Sequence, residues 1–366
     1  MKKNETVLVA MSGGVDSAVA LLKIIEMGYN AVGVTMKLWE YNNVGGNTLN
    51  ENNCCAIESI NNAKLVCERL GVPHYTIDFT EDFENKVINN FVDEYLAGRT
   101  PNPCVRCNSY VKWDTFINQA DKLGAKYIAT GHYANIKKVN EEYKITRGKD
   151  KGKDQSYVLW GIPKETLSRT ILPLGSLTKR EVRQIASENK FENALAPESM
   201  EICFIPDNNY KRFINEYAKD KVKEISSKGT TLNEKGEKIG ENDGFINYTV
   251  GQRRGIGVTS ENPLYVKKIN SNKNSITVSE KKSLFSSKCK VSNINWLRNK
   301  VEFPLDAFAQ IRYNGQVSES KIYDDDGSIL VSFDKPQLAV TPGQSIVFYD
   351  SQKTLLGGGI IELYES

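Results

Sequence analysis

Two groups of residues in this chain have types and spacing that could do chemistry. The first is the run Ala10-Met11-Ser12-Gly13-Gly14-Val15-Asp16-Ser17. Two glycines let a backbone turn sharply and approach a ligand with no Cβ in the way, while Ser12, Asp16 and Ser17 are residue types that cap a helix N-terminus. N–H groups gathered at such a turn, with the positive end of a helix dipole behind them, bind the oxygens of a phosphate chain. No Gly-Lys-Ser/Thr follows, so this is not a Walker loop. A glycine turn without a ligand is the plainer alternative, and the strand before and helix after favour binding. The second group is three thiols: Cys104 and Cys107 in Pro101-Asn102-Pro103-Cys104-Val105-Arg106-Cys107-Asn108, and Cys203 in Ser199-Met200-Glu201-Ile202-Cys203-Phe204-Ile205-Pro206. A thiol reacts as a thiolate that a partner can reach, and Arg106 could favour that form in its neighbours. A lone CxxC is as well explained by an incidental pair, and no second CxxC or histidine pair completes a zinc knuckle.

The elements that must position these groups follow from hydrophobic period. Thr6 to Ala10 reads as a strand and Ala18 to Met27 as a helix; Ala31 to Lys37 and Pro73 to Asp78 read as strands around a helix from Ile60 to Leu70. Phe83, Val87, Ile88, Phe91, Val92 and Tyr95 share one helix face. Leu96 to Asn108 reads as a loop punctuated by Gly98, Pro101 and Pro103. A helix with Phe116, Ile117, Ala120 and Leu123 then leads to a strand from Tyr127 to Thr130. This alternation predicts an α/β fold with a parallel sheet covered on both faces, whose ligands collect at the carboxyl ends of the strands. The glycine run, Met36 and Gly131-His132 all follow strands and would share one crevice. Residues 137 to 154, charged and with Lys149, Lys151 and Lys153 alternating, read as a mobile loop. Thr178-Lys179-Arg180-Glu181 has the spacing of a capping box and should start a helix through Ile185. Beyond Pro206, repeated glycines punctuate short strand candidates. From about Val291, the runs Phe308 to Tyr313, Ile329 to Phe333 and Ser345 to Tyr349 suggest a barrel-like module. The expected division is 1–206 catalytic, 207–288 small and β-rich, and 289–366 barrel-like.

Composition excludes several classes. A chain of 366 residues, 40% hydrophobic, can bury a large core. Its net charge of +3 is uneven: between Asp207 and Lys290, 17 Lys and Arg face 10 Asp and Glu. That excess suits a phosphate-rich partner, or equally a solvated lysine face. The apolar run after the N-terminus is too short for a signal peptide and no stretch has membrane length, which predicts a cytoplasmic protein. Seven cysteines, an odd number, do not make a secreted disulfide framework, and His74 and His132 alone argue against a histidine-built metal site or a Ser-His-Asp hydrolase.

Ser12 to Ser17 resembles the PP-loop of the ATP pyrophosphatases, which cleave ATP to AMP and pyrophosphate. That loop, Arg99 to Asn108, Ala129-Thr130-Gly131-His132-Tyr133, Lys153-Asp154-Gln155-Ser156-Tyr157, Glu201 to Ile205 and Thr249-Val250-Gly251-Gln252-Arg253-Arg254-Gly255 together resemble the bacterial tRNA-specific 2-thiouridylases, the MnmA family, over nearly the whole chain. The resemblance implies replacement of the C2 oxygen of the wobble uridine by sulfur in tRNAs for Lys, Glu and Gln. Uracil O2 is a poor leaving group, so adenylation by ATP would come first. It implies that Ala10 to Ser17, Met36 and Gly131 hold ATP, with Asp16 helping to place Mg2+. It implies a persulfide on Cys203, supplied by a cysteine desulfurase or relay protein, and a sulfur-releasing Cys107. Asn102, Pro103 and Cys104 would meet the target base, and His132, Lys153, Asp154, Gln155, Arg312, Tyr313 and Gln344 would contact tRNA. Without the motif, His132 would read as a hydrogen-bonded histidine at a strand end and Lys153 as solvated surface. Cys104 stands where many members carry Asp. Cys104, Cys107 and Cys203 could therefore ligate a [4Fe-4S] cluster instead. Cys54, Cys55, Cys67 and Cys289 fit no motif and read as buried or incidental. The competing readings are another PP-loop enzyme that adenylates a different substrate, a tRNA-binding module with a degenerate ATP site, and a CxxC oxidoreductase. The last is disfavoured because the pair would lie in a mid-chain loop.

Overall fold

The computed structural model describes residues 5–40, 57–195, 202–225 and 228–363, so Cys54, Cys55 and Ser199-Met200-Glu201 lie outside the described residues. The chain divides into two compact units, one of residues 1–87, 104–209 and 352–355, the other of residues 88–103, 210–351 and 356–366.

The first unit is built on β1 (Thr6–Ala10), whose Val7, Leu8 and Val9 are buried on both faces. It pairs in parallel with β2 (Asn30–Lys37) on one side and β4 (Tyr127–Ala129) on the other. With β3 (His74–Asp78) and β7 (Thr170–Ile171) at the edges, the order is β3-β2-β1-β4-β7. Strand order reverses at β1, so a crevice opens at the carboxyl ends of β1 and β4. Helix α1 (Val15–Glu26) presents Ala18, Val19, Leu21 and Leu22 to the core that includes Val7 and Val9. Helix α2 (Ile57–Arg69) places Cys67 directly over Gly33 of β2, where a Cβ on the glycine would collide with the cysteine Sγ.

Two expectations are corrected here. Residues 137–154 are not a mobile loop, because β5 (Ala134–Val139) and β6 (Glu142–Arg147) form a hairpin in which Ile136 faces Ile145. Its turn uses Asn140 and Glu141 at positive φ, and the charged residues around it hid the two-residue period. Leu96 to Asn108 is not all loop either. After α3 (Thr80–Phe83, Glu84–Ile88 and Asn89–Leu96, end to end), α4 begins at Pro103–Arg106 and continues through Cys107–Thr115 to Phe116–Lys122. Pro103 occupies the first helical position, where a missing N–H costs nothing. Helix α5 (Lys179–Glu188) starts with the expected box: Thr178 accepts from the Glu181 N–H and Glu181 accepts from the Thr178 N–H.

In the second unit, helices α6 (Tyr210–Tyr217) and α7 (Lys219–Ile225) precede the strands, which the glycine pattern did not signal. Phe91 of α3 packs edge-on to Phe213, and Tyr95 stacks on Tyr210 at 4.8 Å. Strands β8 (Gly229–Leu232), β9 (Lys238–Asn242), β10 (Leu264–Asn270) and β11 (Ser275–Glu280) form a sheet in the order β10-β11-β8-β9. The barrel-like module is a closed barrel of six strands: β12 (Phe285–Trp296), β13 (Leu305–Gln310), β14 (Ser318–Asp325), β15 (Ser328–Leu338), β16 (Ser345–Tyr349) and β17 (Leu355–Glu362). Cys289, Ile322, Val331, Ile346 and Phe348 fill it. Burial pushes the Cys289 thiol, like that of Cys67, up to about 12, so both behave as small apolar side chains. No helix among the described residues is long and apolar enough to cross a membrane.

The Gly33 contact yields a paired prediction. Gly33→Ala should destabilise the protein by about 1–3 kcal/mol through overpacking, and Cys67→Ala in the same chain should recover much of that loss in thermal melts. Equal melting of the single and double variants would show that the contact is not the limiting one.

Candidate active site

The glycine run sits where the sheet reverses. Met11 N–H donates to the Val34 carbonyl at 2.8 Å, extending β1 by one residue before the chain turns. Gly13 takes φ +77, and a Cβ there would collide with the Ser59 backbone. Gly14 is different: it has ordinary extended geometry, φ −82, and is the residue that caps α1. The expected side-chain cap is absent, since neither Ser12, Asp16 nor Ser17 caps the helix. Instead the Ser17 hydroxyl accepts from the Ser12 N–H at 3.2 Å and donates to the Gly14 carbonyl at 2.8 Å, stapling the loop across its base. No side-chain cap covers the N–H groups in the first turn of α1, the arrangement in which a helix start can bind an anion. Asn193, buried, donates to the Gly13 carbonyl at 2.7 Å from beneath.

Gly131 closes the other side. A Cβ there would stand 3.0 Å from the Asp16 carbonyl carbon and 3.1 Å from the Ser17 nitrogen, so the β4 end lies flat against the glycine run. Met36, the penultimate residue of β2, is buried. The glycine run and the end of β4 therefore meet as strand order led one to expect, with Gly131 packed against Asp16 and Ser17.

Asp16 is the charged centre of this site. Lys179 Nζ reaches its two carboxylate oxygens at 2.7 and 2.8 Å, and the Tyr133 hydroxyl donates to Oδ1 at 2.6 Å. Lys179 is nearly buried, and its backbone N–H donates to Asp150 at 2.9 Å, fixing the first turn of α5. Glu181, in the same turn, is held down to about 2 by the Lys149 ammonium and then by the Thr178 donors. Thr178 and Glu181 are legible in the sequence as a helix start, whereas the role of Lys179 is not, because only the fold aims that lysine at Asp16 of the glycine run.

Cys104 and Cys107 occupy the first turns of α4, with Cys104 exposed and Cys107 buried. The CxxC pair thus opens a helix, which removes the argument that its loop position disfavours an oxidoreductase. Its place far from the first strand still separates it from thioredoxin-like motifs. Arg106 donates Nε–H to the Lys86 carbonyl at 2.9 Å and lies 4.5 Å over the Tyr110 ring, so its guanidinium is engaged structurally. Asn108 donates to the Val158 carbonyl at 3.0 Å, joining this helix to the segment after Gln155. Cys203 is half-buried, anchored by Phe204, which packs edge-on to Phe83 at 5.7 Å. Among the described residues, no group of three or more His, Cys, Asp or Glu side chains is placed to hold a metal ion.

Several residues expected to touch RNA hold the protein together. His132 is buried, receives or donates a 2.7 Å bond with Thr130, and lies 5.5 Å from the Trp113 ring. Asp154 accepts from the Gly148 and Ser156 N–H groups, and Gln155 accepts from the Tyr133 N–H at 2.9 Å. Lys153, like Asp154 and Gln155, is half-buried. In the second unit, Arg312 donates to the Ala339 carbonyl at 2.8 Å, beneath Gly251, whose absent Cβ would touch Ala339. Tyr313 is exposed. Arg253 and Arg254 are also exposed, beside a cavity of about 630 Å³ that runs along Gly255 to Leu264.

Comparison with known proteins decides the kinship. Residues 5–207 match the tRNA methyl transferase HUP domain, residues 211–280 the tRNA methyl transferase PRC-barrel domain, and residues 286–361 the aminomethyltransferase beta-barrel domain. The tRNA-specific 2-thiouridylase MnmA of Salinibacter ruber is 45% identical, over 99% of this chain and 96% of that protein. The proteins of the same name from Amoebophilus asiaticus and Halothermothrix orenii are 45% and 43% identical, each over 98% of this chain and over 96% and 99% of their own lengths. The chain belongs to the tRNA-specific 2-thiouridylase family. The Asp16–Lys179 pair beside the glycine run can be tested directly.

Lys179→Ala should lower ATP-dependent pyrophosphate release by about a hundredfold, with Lys179→Arg intermediate, since the preorganised ammonium paired with Asp16 beside the glycine run is lost. A second prediction concerns pH. Burial, and then the Lys112 ammonium, hold the His132 pKa well below 6.5; burial, and then Lys64, lower that of His74. Below about pH 6.5 the unfolded chain binds protons that the folded chain does not, so this stability is complete above that value and is lost as pH falls. The thermal midpoint should drop between about pH 7.5 and about pH 5.5, and the double variant H74Q/H132Q should show a flatter profile.

Proposed function

We propose that this protein is an ATP-dependent tRNA sulfurtransferase that installs 2-thiouridine at the wobble position. This reading is supported by a glycine run between β1 and α1, with Gly131 packed against it, in a chain kin over its full length to 2-thiouridylases. Ser12 to Ser17 and the first turn of α1 would take the phosphates, and Met36 would line the adenosine pocket. Asp16 offers the hard oxygen ligand that Mg2+ prefers, and the ion would neutralise phosphate charge there. Lys179, now on Asp16, is near enough to serve the same phosphates.

In the proposed reaction the uracil O2 attacks the α-phosphorus of ATP and pyrophosphate leaves, making C2 electrophilic. The terminal sulfur of a Cys203 persulfide then bonds to C2 and AMP departs. Cys107, as thiolate, attacks the Cys203 sulfur, leaving a Cys107–Cys203 disulfide and the sulfur on C2. A reductant must restore both thiols before the next cycle. A cysteine desulfurase or relay protein would load the persulfide. Cys104, exposed one turn before Cys107, would meet the base beside Asn102 and Pro103. The tRNA itself would find Tyr313, Arg253 and Arg254 exposed, with Lys153 on the first unit.

The test is nucleoside mass spectrometry of tRNA incubated anaerobically with protein, ATP, Mg2+ and a cysteine-desulfurase sulfur source, with Cys203→Ser as control. 2-Thiouridine should appear only with ATP and intact Cys203. Cleavage of ATP to AMP without thiolated uridine would move the assignment to another adenylated substrate. Activity in protein shown by analysis to contain no iron would exclude a cluster route.

A further inference from the structure

The segment Thr100-Pro101-Asn102-Pro103 has few means of organising itself, because its two prolines donate no hydrogen bonds. Its order comes from the barrel unit instead. Gln344 Nε2 donates to the Thr100 carbonyl at 2.8 Å and to the Pro101 carbonyl at 3.1 Å. The Thr100 N–H donates to the Pro342 carbonyl at 2.9 Å. Gly343, at φ +89, lets the two backbones meet: a Cβ there would sit 2.8 Å from the Thr100 nitrogen and 2.9 Å from its oxygen. Gln344 is itself fixed, since its carbonyl accepts from the Ile361 N–H at 2.8 Å and the Gly343 N–H donates to the Ile361 carbonyl at 2.9 Å.

Arg99 locks the start of the segment. Its Nε–H donates to Glu94 at 2.7 Å, and its two terminal nitrogens reach the two oxygens of Glu362. Burial alone would raise the Glu362 pKa, but hydrogen bonds from Arg99 and Ser292 outweigh it and hold the carboxyl below its ordinary value. Glu94 lies in the last turn of α3 and Glu362 ends β17, so the arginine spans a helix and the barrel.

From this geometry we infer that Gln344 is a positioning residue for the base-meeting segment: both of its amide donors hold the two carbonyls immediately before Asn102-Pro103. The inference rests on the reading that Asn102 and Pro103 meet the target base. It departs from the expectation of a direct tRNA contact by Gln344, whose N–H groups are already committed within the protein. Removing the clamp changes how Asn102 and Pro103 are presented more than it changes how the protein holds RNA.

The experiment compares wild type, Gln344→Ala and Gln344→Glu. The glutamate keeps the length of the side chain but sets a carboxylate against two carbonyls. Amide hydrogen exchange in the RNA-free protein should show the Thr100 amide exchanging about tenfold faster or more in both variants, while the β16 amides stay unchanged as the control for folding. Single-turnover thiolation at saturating tRNA should fall by about ten- to a hundredfold, with the tRNA Kd within about threefold of wild type. Unchanged Thr100 exchange, or an unchanged thiolation rate, overturns the clamp. Weakened tRNA binding with unchanged exchange assigns Gln344 to the RNA instead. A wild type that makes no 2-thiouridine overturns the functional reading, and the exchange result, which needs no RNA, distinguishes that failure from failure of the clamp.

Discussion

The carboxylate of Asp16 ties together three stretches that are far apart in sequence. The glycine run after β1 supplies it, Tyr133 beyond the end of β4 donates to it, and Lys179 in the first turn of α5 pairs with both of its oxygens. Lys179 is the more buried partner, so removing Asp16 would leave an ammonium with little water to replace it. The capping box then matters beyond helix propensity. Thr178, Glu181 and Asp150 fix the turn from which Lys179 reaches back to the loop.

The packing behind the loop explains which of its residues are fixed by shape. Gly13, at positive φ with the Ser59 backbone against it, accepts no side chain, whereas at Gly131 a Cβ would press tightly on the Asp16 and Ser17 backbone. Gly14 has only the Ser12 hydroxyl nearby, at 3.5 Å from where a Cβ would lie. Its demand, if any, comes from the space a phosphate would occupy. The Ser17 hydroxyl, which accepts and donates within the loop, leaves the helix N-terminus uncovered by side chains, as anion binding at a helix start requires.

The thiols of the CxxC pair and the Arg99–Pro103 segment divide between the two units. Cys104 and Cys107 belong to the first, on a helix whose Asn108 is tied to Val158, whereas Arg99 to Pro103 belong to the second, held by Gln344 and Glu362. A continuous motif in sequence is thus held by two separate sets of contacts.

The sequence by itself determined the alternation of strands and helices, the glycine run, the capping box and the barrel, because each is written in local period or local turn chemistry. Ser345 to Tyr349 emerges as a strand with the expected ends, and its five residues are buried. The hairpin at Ala134–Arg147 was illegible because charged residues on its strands masked the alternation, and its turn carries no glycine. The helix under Cys107 was hidden by prolines that read as loop, although Pro103 sits where a helix tolerates it. Tertiary structure alone decided that Lys179 meets Asp16, that His132 and Asp154 face inward, and that Gln344 grips Thr100 and Pro101. Those choices depend on which distant backbone atoms fold to within about 3 Å of one another, a distance that hydrogen bonding demands and local spacing does not encode.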